Sequence, residues 1–154
     1  MRKKKKNIKI IKPEPTQQKS QFKFVKPKPA YRKKKPVFAF NYYLCDSKDC
    51  SFKTIQSPKS FHILFKNLKG MSSLIWQKII DAHQYHAHEV NWTEENIPND
   101  IKQLQYNEEI KDLSLFQFKA FDNEKTRIIG LFNNDCVFEI IGLDKEHEIY
   151  RKNK

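Results

Sequence analysis

Apolar positions follow different rhythms along this chain, and each rhythm predicts a different element. After Pro58, the residues Phe61, Leu64, Phe65 and Leu68 recur at i, i+3, i+4 and i+7, one face of an α-helix, and Gly70 stands where a C-terminal cap is wanted. Ser72 or Ser73 is placed to cap a second helix carrying Leu74, Ile75, Trp76, Ile79, Ile80 and Ala82 to about His86. So short a link makes the two helices a hairpin, and Phe61, Phe65 and Trp76 are expected to fill the space between helices and sheet. Elsewhere the pattern is of the extended type. Val37 to Leu44 reads as a strand, the stretch from Cys45 to Cys50 supplies turn chemistry, and Ser51 to Ile55 is expected to return as the second strand of a hairpin. In the last third, strands are predicted near Ser114–Phe121, Arg127–Phe132 and Cys136–Leu143, with Asn133-Asn134-Asp135 turning between the last two. Between Glu89 and Asp112 the rhythm weakens: Val90 and Trp92 suggest a short extended piece, Pro98 interrupts, and Ile101, Leu104 and Ile110 mark a short helix. The order predicts an α+β domain: an N-terminal strand or hairpin, a helical hairpin, then an antiparallel β-meander.

Ahead of this domain, residues 1–36 show no sustained period, and charge explains why. They hold 15 Lys and Arg against one acid, Glu14, a net of +14; the other 118 residues hold 15 basic and 17 acidic side chains, a net of −2. The +12 of the whole chain is therefore carried by its first quarter. With Pro13, Pro15, Pro27, Pro29 and Pro36 and few aliphatic residues, this stretch is expected to be a disordered tail, and the domain to span 37–154. Two basic blocks, Arg2-Lys3-Lys4-Lys5-Lys6 and Arg32-Lys33-Lys34-Lys35, flank a spacer containing Phe22, Phe24 and Tyr31, aromatic rings that can stack on the bases of a single strand. Such a tail points to an acidic polymer, nucleic acid first, with a membrane surface or another acidic partner, or a merely solubilising role, as the alternatives.

No run approaches the roughly 18 to 20 apolar residues that cross a bilayer, and the basic start lacks the apolar stretch of a secretory signal, so a cytoplasmic protein is expected. Cys45, Cys50 and Cys136 are an odd number without a C-x-x-C pair; reduced thiols are expected, although Cys45 and Cys50 are spaced to meet across the predicted hairpin. His83, His86 and His88 cluster at the end of the second predicted helix, and His83 and His86 share one helical side, as a metal site requires; but no acid or cysteine stands at a companion spacing, so neither metal nor cofactor is implied and capping or packing is the expected role. The three glycines are isolated, which excludes glycine-rich phosphate loops. The C-terminal strands bring together Lys119, Arg127, Lys145, His147, Tyr150 and Arg151, a set able to bind a phosphodiester, stabilise its developing charge and move protons without metal. The plainer reading is the polar face of a half-solvated sheet.

Phe116-Gln-Phe-Lys-Ala-Phe, Thr126-Arg-Ile-Ile-Gly-Leu-Phe and the segment from Cys136 to Tyr150 resemble the closing meander of RelE-type ribosome-dependent ribonuclease toxins. In that superfamily a helical hairpin precedes an antiparallel sheet, an arginine opens a central strand, and the chain ends on basic residues followed by tyrosine. The resemblance implies a catalytic set in which Arg127 matches the central-strand arginine, Lys145 lies close to the basic residue ahead of the terminal strand, Tyr150 matches the tyrosine near the scissile phosphate, and Lys119 is a looser match. The segment also resembles the ending of uncharacterised bacterial and phage-borne proteins, a likeness that carries no activity. Against the toxin pattern stand the extra basic tail and a domain of net −2, with Asp144, Glu146 and Glu148 around the site, where they repel RNA phosphates.

Three functions are consistent with these residues. One is an RNA-directed, RelE-like protein, if catalytic a metal-independent endoribonuclease, whose tail grips ribosomal or messenger RNA. Another is a non-catalytic binding module, or a phage or mobile-element factor acting on nucleic acid or on a host protein that binds it. The third is an antitoxin-like or structural protein whose tail meets an acidic protein partner.

Overall fold

The computed structural model describes residues 29–93, 96–123 and 125–149. It is an α+β domain built on a five-stranded mixed sheet in the order β1-β5-β4-β3-β2, where β1 is Phe38–Ala39, β2 His88–Val90, β3 Leu115–Phe118, β4 Arg127–Phe132 and β5 Phe138–Asp144. Strands β2 to β5 are antiparallel to one another in sequence order, whereas β1 lies parallel to β5 at the edge. Three helices are described: α1 (Pro58–Met71), α2 (Trp76–Asp81) and α3 (Asn99–Gln103). None of the described helices is long and apolar enough to cross a membrane.

The sheet is covered on both faces, which is why β3 to β5 are buried almost throughout despite being antiparallel. One face packs Phe116, Phe118, Ile128, Phe138, Ile140 and Leu143 against Leu64, Leu68 and Met71 of α1 and Trp76 and Ile79 of α2. The other packs Leu115, Ile129, Leu131 and Ile141 against Cys50, Ile97, Ile101, Ile110 and Ile149. Between β4 and β5 the register slips at Ile129/Gly130, where Ile129 faces Gly142 but Gly130 faces Ile140, leaving Ile141 as the extra residue of a bulge. Gly130 is required there: a Cβ on it would lie 2.3 Å from the Glu139 carbonyl oxygen and 2.5 Å from the Phe138 ring. Gly130→Ala is therefore expected to cost about 1 to 3 kcal/mol, read as a lowered denaturation midpoint, because backbone rather than a flexible side chain must give way.

Several expectations are corrected. Leu64 and Leu68 of the anticipated stripe pack, joined by Met71, whereas Phe65 is 65% exposed and Phe61 only half-buried. Gly70 lies inside α1, whose C-cap is Ser72. The second helix is shorter than predicted: it starts at Trp76 after Ile75 and gives way to a 3-10 turn, His83–Tyr85, ended by His86 in left-handed backbone at φ 44°. Of the predicted strand 37–44 only Phe38–Ala39 is regular strand: the Tyr43 N–H donates to the Phe40 carbonyl and draws the chain into a turn, after which Leu44 returns to β5 through its N–H on the Ile141 carbonyl (2.9 Å); 51–55 forms a 3-10 turn, Phe52–Thr54, instead of a return strand. Without that hairpin Cys45 and Cys50 do not meet, and Cys45, Cys50 and Cys136 are all free thiols.

The largest correction concerns 29–36, which charge assigns to the tail. Tyr31 is 7% exposed, stacked on Phe132 at 3.7 Å between ring centroids and edge-on to Phe116. It sits in a 3-10 turn, Ala30–Lys33. Beside it Arg32 Nη1 donates to Gln77 Oε1 (3.3 Å), and the Trp76 N–H donates to the Lys34 carbonyl (2.9 Å). A chain cut at 36 would lose a core ring, and Tyr31 is not available to stack on a base. The remainder of the predicted tail lies outside the described residues.

Candidate functional site

The face of the sheet that carries Leu115 and Ile129 ends in polar residues. Gln117 occupies a core position between Phe116 and Phe118 and has no exposed surface. Its register partner on β2 is His88 and on β4 is Ile129. The Gln117 side-chain amide lies 2.8 Å from His88 Nε2 and 3.4 Å from His147 Nε2, so one amide nitrogen faces two imidazoles. His88 Nδ1 is 2.9 Å from the Glu89 carbonyl oxygen, which can only accept. The His88 proton therefore sits on Nδ1, its Nε2 is bare, and the Gln117 N–H donates to it. Gln117 Oε1 finds no hydrogen-bond partner among the described residues.

The next row is charged. Arg127 opens β4 opposite Asp144, the last residue of β5, and both are buried, at 3% and 6% exposure. Arg127 Nη1 donates to the Thr126 carbonyl (3.2 Å). The Asp144 carboxylate accepts the backbone N–H groups of Glu148 (2.9 Å) and Ile149 (3.0 Å), and the Thr126 hydroxyl donates to the Lys145 carbonyl (3.2 Å). These bonds fold 145–149 back over the sheet end, with Ile149 buried in the second core and His147 in left-handed backbone at φ 55°. Burial lowers the His147 pKa below its ordinary value, and the Arg127 guanidinium lowers it further; Asp144 opposes them, while His88 and His86 add to the depression. His147 is thus held neutral, as its place beside the Gln117 amide requires.

The sequence-derived residues do not form one surface. His147 and Arg127 come together, and Lys119, half-buried one residue beyond the Phe118↔Ile128 pair, falls on the same face by strand alternation. Lys145 is exposed and lines clefts with Thr54 and Leu143. Arg127 is too deeply buried to meet a polymer in this arrangement. Tyr150 and Arg151 lie outside the described residues, as do Arg2, Lys3, Lys4, Lys5 and Lys6. Of the second basic block, Lys33, Lys34 and Lys35 are exposed and Arg32 is half-buried. Sequence reasoning missed Gln117, weighed His88 only as one of three clustered histidines, and treated Asp144 as a repelling charge where it caps a loop. The signal was a lone amide between two phenylalanines in an otherwise apolar strand.

Among the described residues no group of three or more His, Cys, Asp or Glu side chains is arranged to hold a metal ion. His83 and His86 touch at 4.7 Å between ring centroids, at the end of the 3-10 turn. Cys50 is a poor nucleophile, its thiol pushed up to about 11 by burial. No known protein family, curated protein or solved structure matches the chain.

Proposed function

We propose that this protein binds nucleic acid, with RNA the favoured class, through the basic residues of its first 36 positions. The observation that carries this reading is the segregation of charge: +14 over 1–36 against −2 over the rest. Its support in the fold is that Lys33, Lys34 and Lys35 project from a turn pinned to the domain by Tyr31, so phosphate contacts at this block are borne on a fixed platform. The test is titration of a labelled single-stranded RNA with the full-length protein at about 50 mM salt. Binding that weakens steeply with salt supports the reading; no binding at that ionic strength overturns it and leaves an acidic protein partner, such as an antitoxin or host factor, as the target of the basic residues.

A second reading, a RelE-like endoribonuclease acting on ribosome-bound messenger RNA, is favoured by one specific observation. His147, Arg127 and Lys119 lie at the same end of one sheet face, an imidazole from the segment that follows β5 and two cations. The antiparallel run β2 to β5 fits the plan of that superfamily; the parallel β1 edge and the basic N-terminal segment are additions to it. In this reading an imidazole or Tyr150 moves the proton and cations stabilise the phosphorane charge. Cleavage of ribosome-programmed RNA by the wild type, lowered about 10²-fold or more by Tyr150→Phe at an unchanged thermal midpoint, is the expected result. Intact RNA with and without ribosomes leaves binding as the whole function.

A further inference from the structure

We propose that Gln117, His88 and His147 form an acid-released clasp that holds the segment 145–149 on the end of the sheet. The segment leaves β5 at Asp144 and is tied down at three kinds of point: the Asp144 carboxylate on the N–H groups of Glu148 and Ile149, the Thr126 hydroxyl on the Lys145 carbonyl, and the His147 ring on the Gln117 amide. Of these, the third alone includes a ring nitrogen: a single amide nitrogen faces Nε2 of both imidazoles and donates to each through that nitrogen's lone pair.

Protonation turns the acceptor into a donor, and N–H then faces N–H at a residue with no exposure. Turning the Gln117 amide over would offer Oε1 to an imidazolium, but it would leave the new cation beside a guanidinium. The groups that face His147 are Arg127 on β4, Asp144 on β5, and His88 and His86 on and before β2; Lys119 on β3 shares the face, and the segment's own Glu146 is drawn outward onto Lys125 (3.0 Å). Among the described residues Asp144 alone favours the charged ring, and each of its two oxygens already accepts a backbone N–H group. In the sign convention of proton linkage, the clasped form binds fewer protons than the open one. Its closure is thus fully present above the ordinary histidine pKa of about 6.5 and is lost progressively as pH falls below that value and through the depressed pKa of the clasped His147 ring. Opening frees 145–149 and adds positive charge next to Lys119 and Lys145.

The experiment is backbone amide exchange in the full-length protein, expressed as protection relative to the intrinsic rate at each pH. Glu148 and Ile149 report on the clasp and Ile129 in β4 reports on the whole domain. Between about pH 7.5 and pH 5, protection at Glu148 and Ile149 is expected to fall about tenfold or more while Ile129 holds, a range that ends above the ordinary Asp pKa of about 3.9. His147→Asn keeps a residue suited to left-handed backbone and is expected to remove the pH dependence. Gln117→Glu supplies a carboxylate that accepts from imidazolium and is expected to keep the segment closed at about pH 5. Equal protection of wild-type Glu148 and Ile149 at both pH values, or the same fall in His147→Asn, overturns the clasp.

Discussion

Trp76→Ala is expected to destabilise the domain by about 3 to 5 kcal/mol, whereas Phe65→Ala is expected to change stability by no more than about 0.5 kcal/mol. The sequence rhythm groups these two aromatics as joint fillers of the helix-to-sheet core, and the fold separates them. Trp76 has no exposed surface and packs against the rings of Phe116, Phe118, Phe132 and Phe138, with centroids 4.9 to 5.9 Å apart, and against Phe38 at 6.2 Å. Removing the indole leaves a cavity bounded by ordered strands that cannot collapse into it, so the transfer loss and the cavity loss add. Phe65 is 65% exposed and gives up little burial. Chemical denaturation of both variants, with unchanged slope against denaturant, checks the pair. A Trp76→Ala loss below about 1 kcal/mol would mean that the aromatic cluster is not the seat of stability.

How far the chain can be read depends on whether a residue's partners are local. Strand β4 spans the predicted Arg127–Phe132, since the nearly unbroken apolar run that follows Arg127, from Ile128 to Phe132, is itself the signal for a strand buried on both faces. Helix α1 is legible for the same reason, and so is half of its packed stripe: Leu64 and Leu68 are buried as their i, i+4 spacing predicts, whereas the neighbouring Phe61, Phe65 row is not selected because Met71, i+7 from Leu64, extends the other row while Lys69 follows Phe65. The segment 37–44 has strand composition, but its pairing depends on β5 a hundred residues later. There Glu139 accepts the Asn41 backbone and side-chain N–H groups and turns the chain away after Ala39. Tyr31 was hidden by its neighbours. Four cations and two prolines within 29–36 argue for an unfolded stretch, and the gain that outweighs them is a stack on Phe132 that no local pattern contains. The same holds for the site: Arg127, Lys119 and His147 stand out as chemistry-bearing residues, whereas Gln117 and His88 acquire meaning only from the β2–β3 register that sets them opposite each other.

The largest expected effect is on affinity for RNA, and the two basic blocks are expected to contribute in different ways. Contacts between cations and a single-stranded phosphate backbone make log K fall with log salt at a slope of about −0.7 per phosphate neutralised; six to ten such contacts lower affinity by about 300-fold to 10⁴-fold between about 50 and 200 mM salt. Replacing Arg2, Lys3, Lys4, Lys5 and Lys6 by glutamine is expected to flatten that slope by about 3.5, and replacing Lys33, Lys34 and Lys35 by about 2. Ordering matters as well as charge. The second block is already fixed on the domain by Tyr31, by the Arg32–Gln77 hydrogen bond and by the Lys34 carbonyl on Trp76 N–H, so its contacts cost little further conformational entropy on binding. Since the composition of the Arg2–Lys6 block leads one to expect a stretch that must be ordered on binding, loss of the Lys33–Lys35 block is expected to weaken binding more, per cation removed, than loss of the Arg2–Lys6 block at equal salt. Titrations of one labelled RNA at four salt concentrations measure both the slopes and the per-charge losses. Slopes unchanged in both variants would show that the affinity resides elsewhere, and equal per-charge losses would show that the fixed platform confers no advantage.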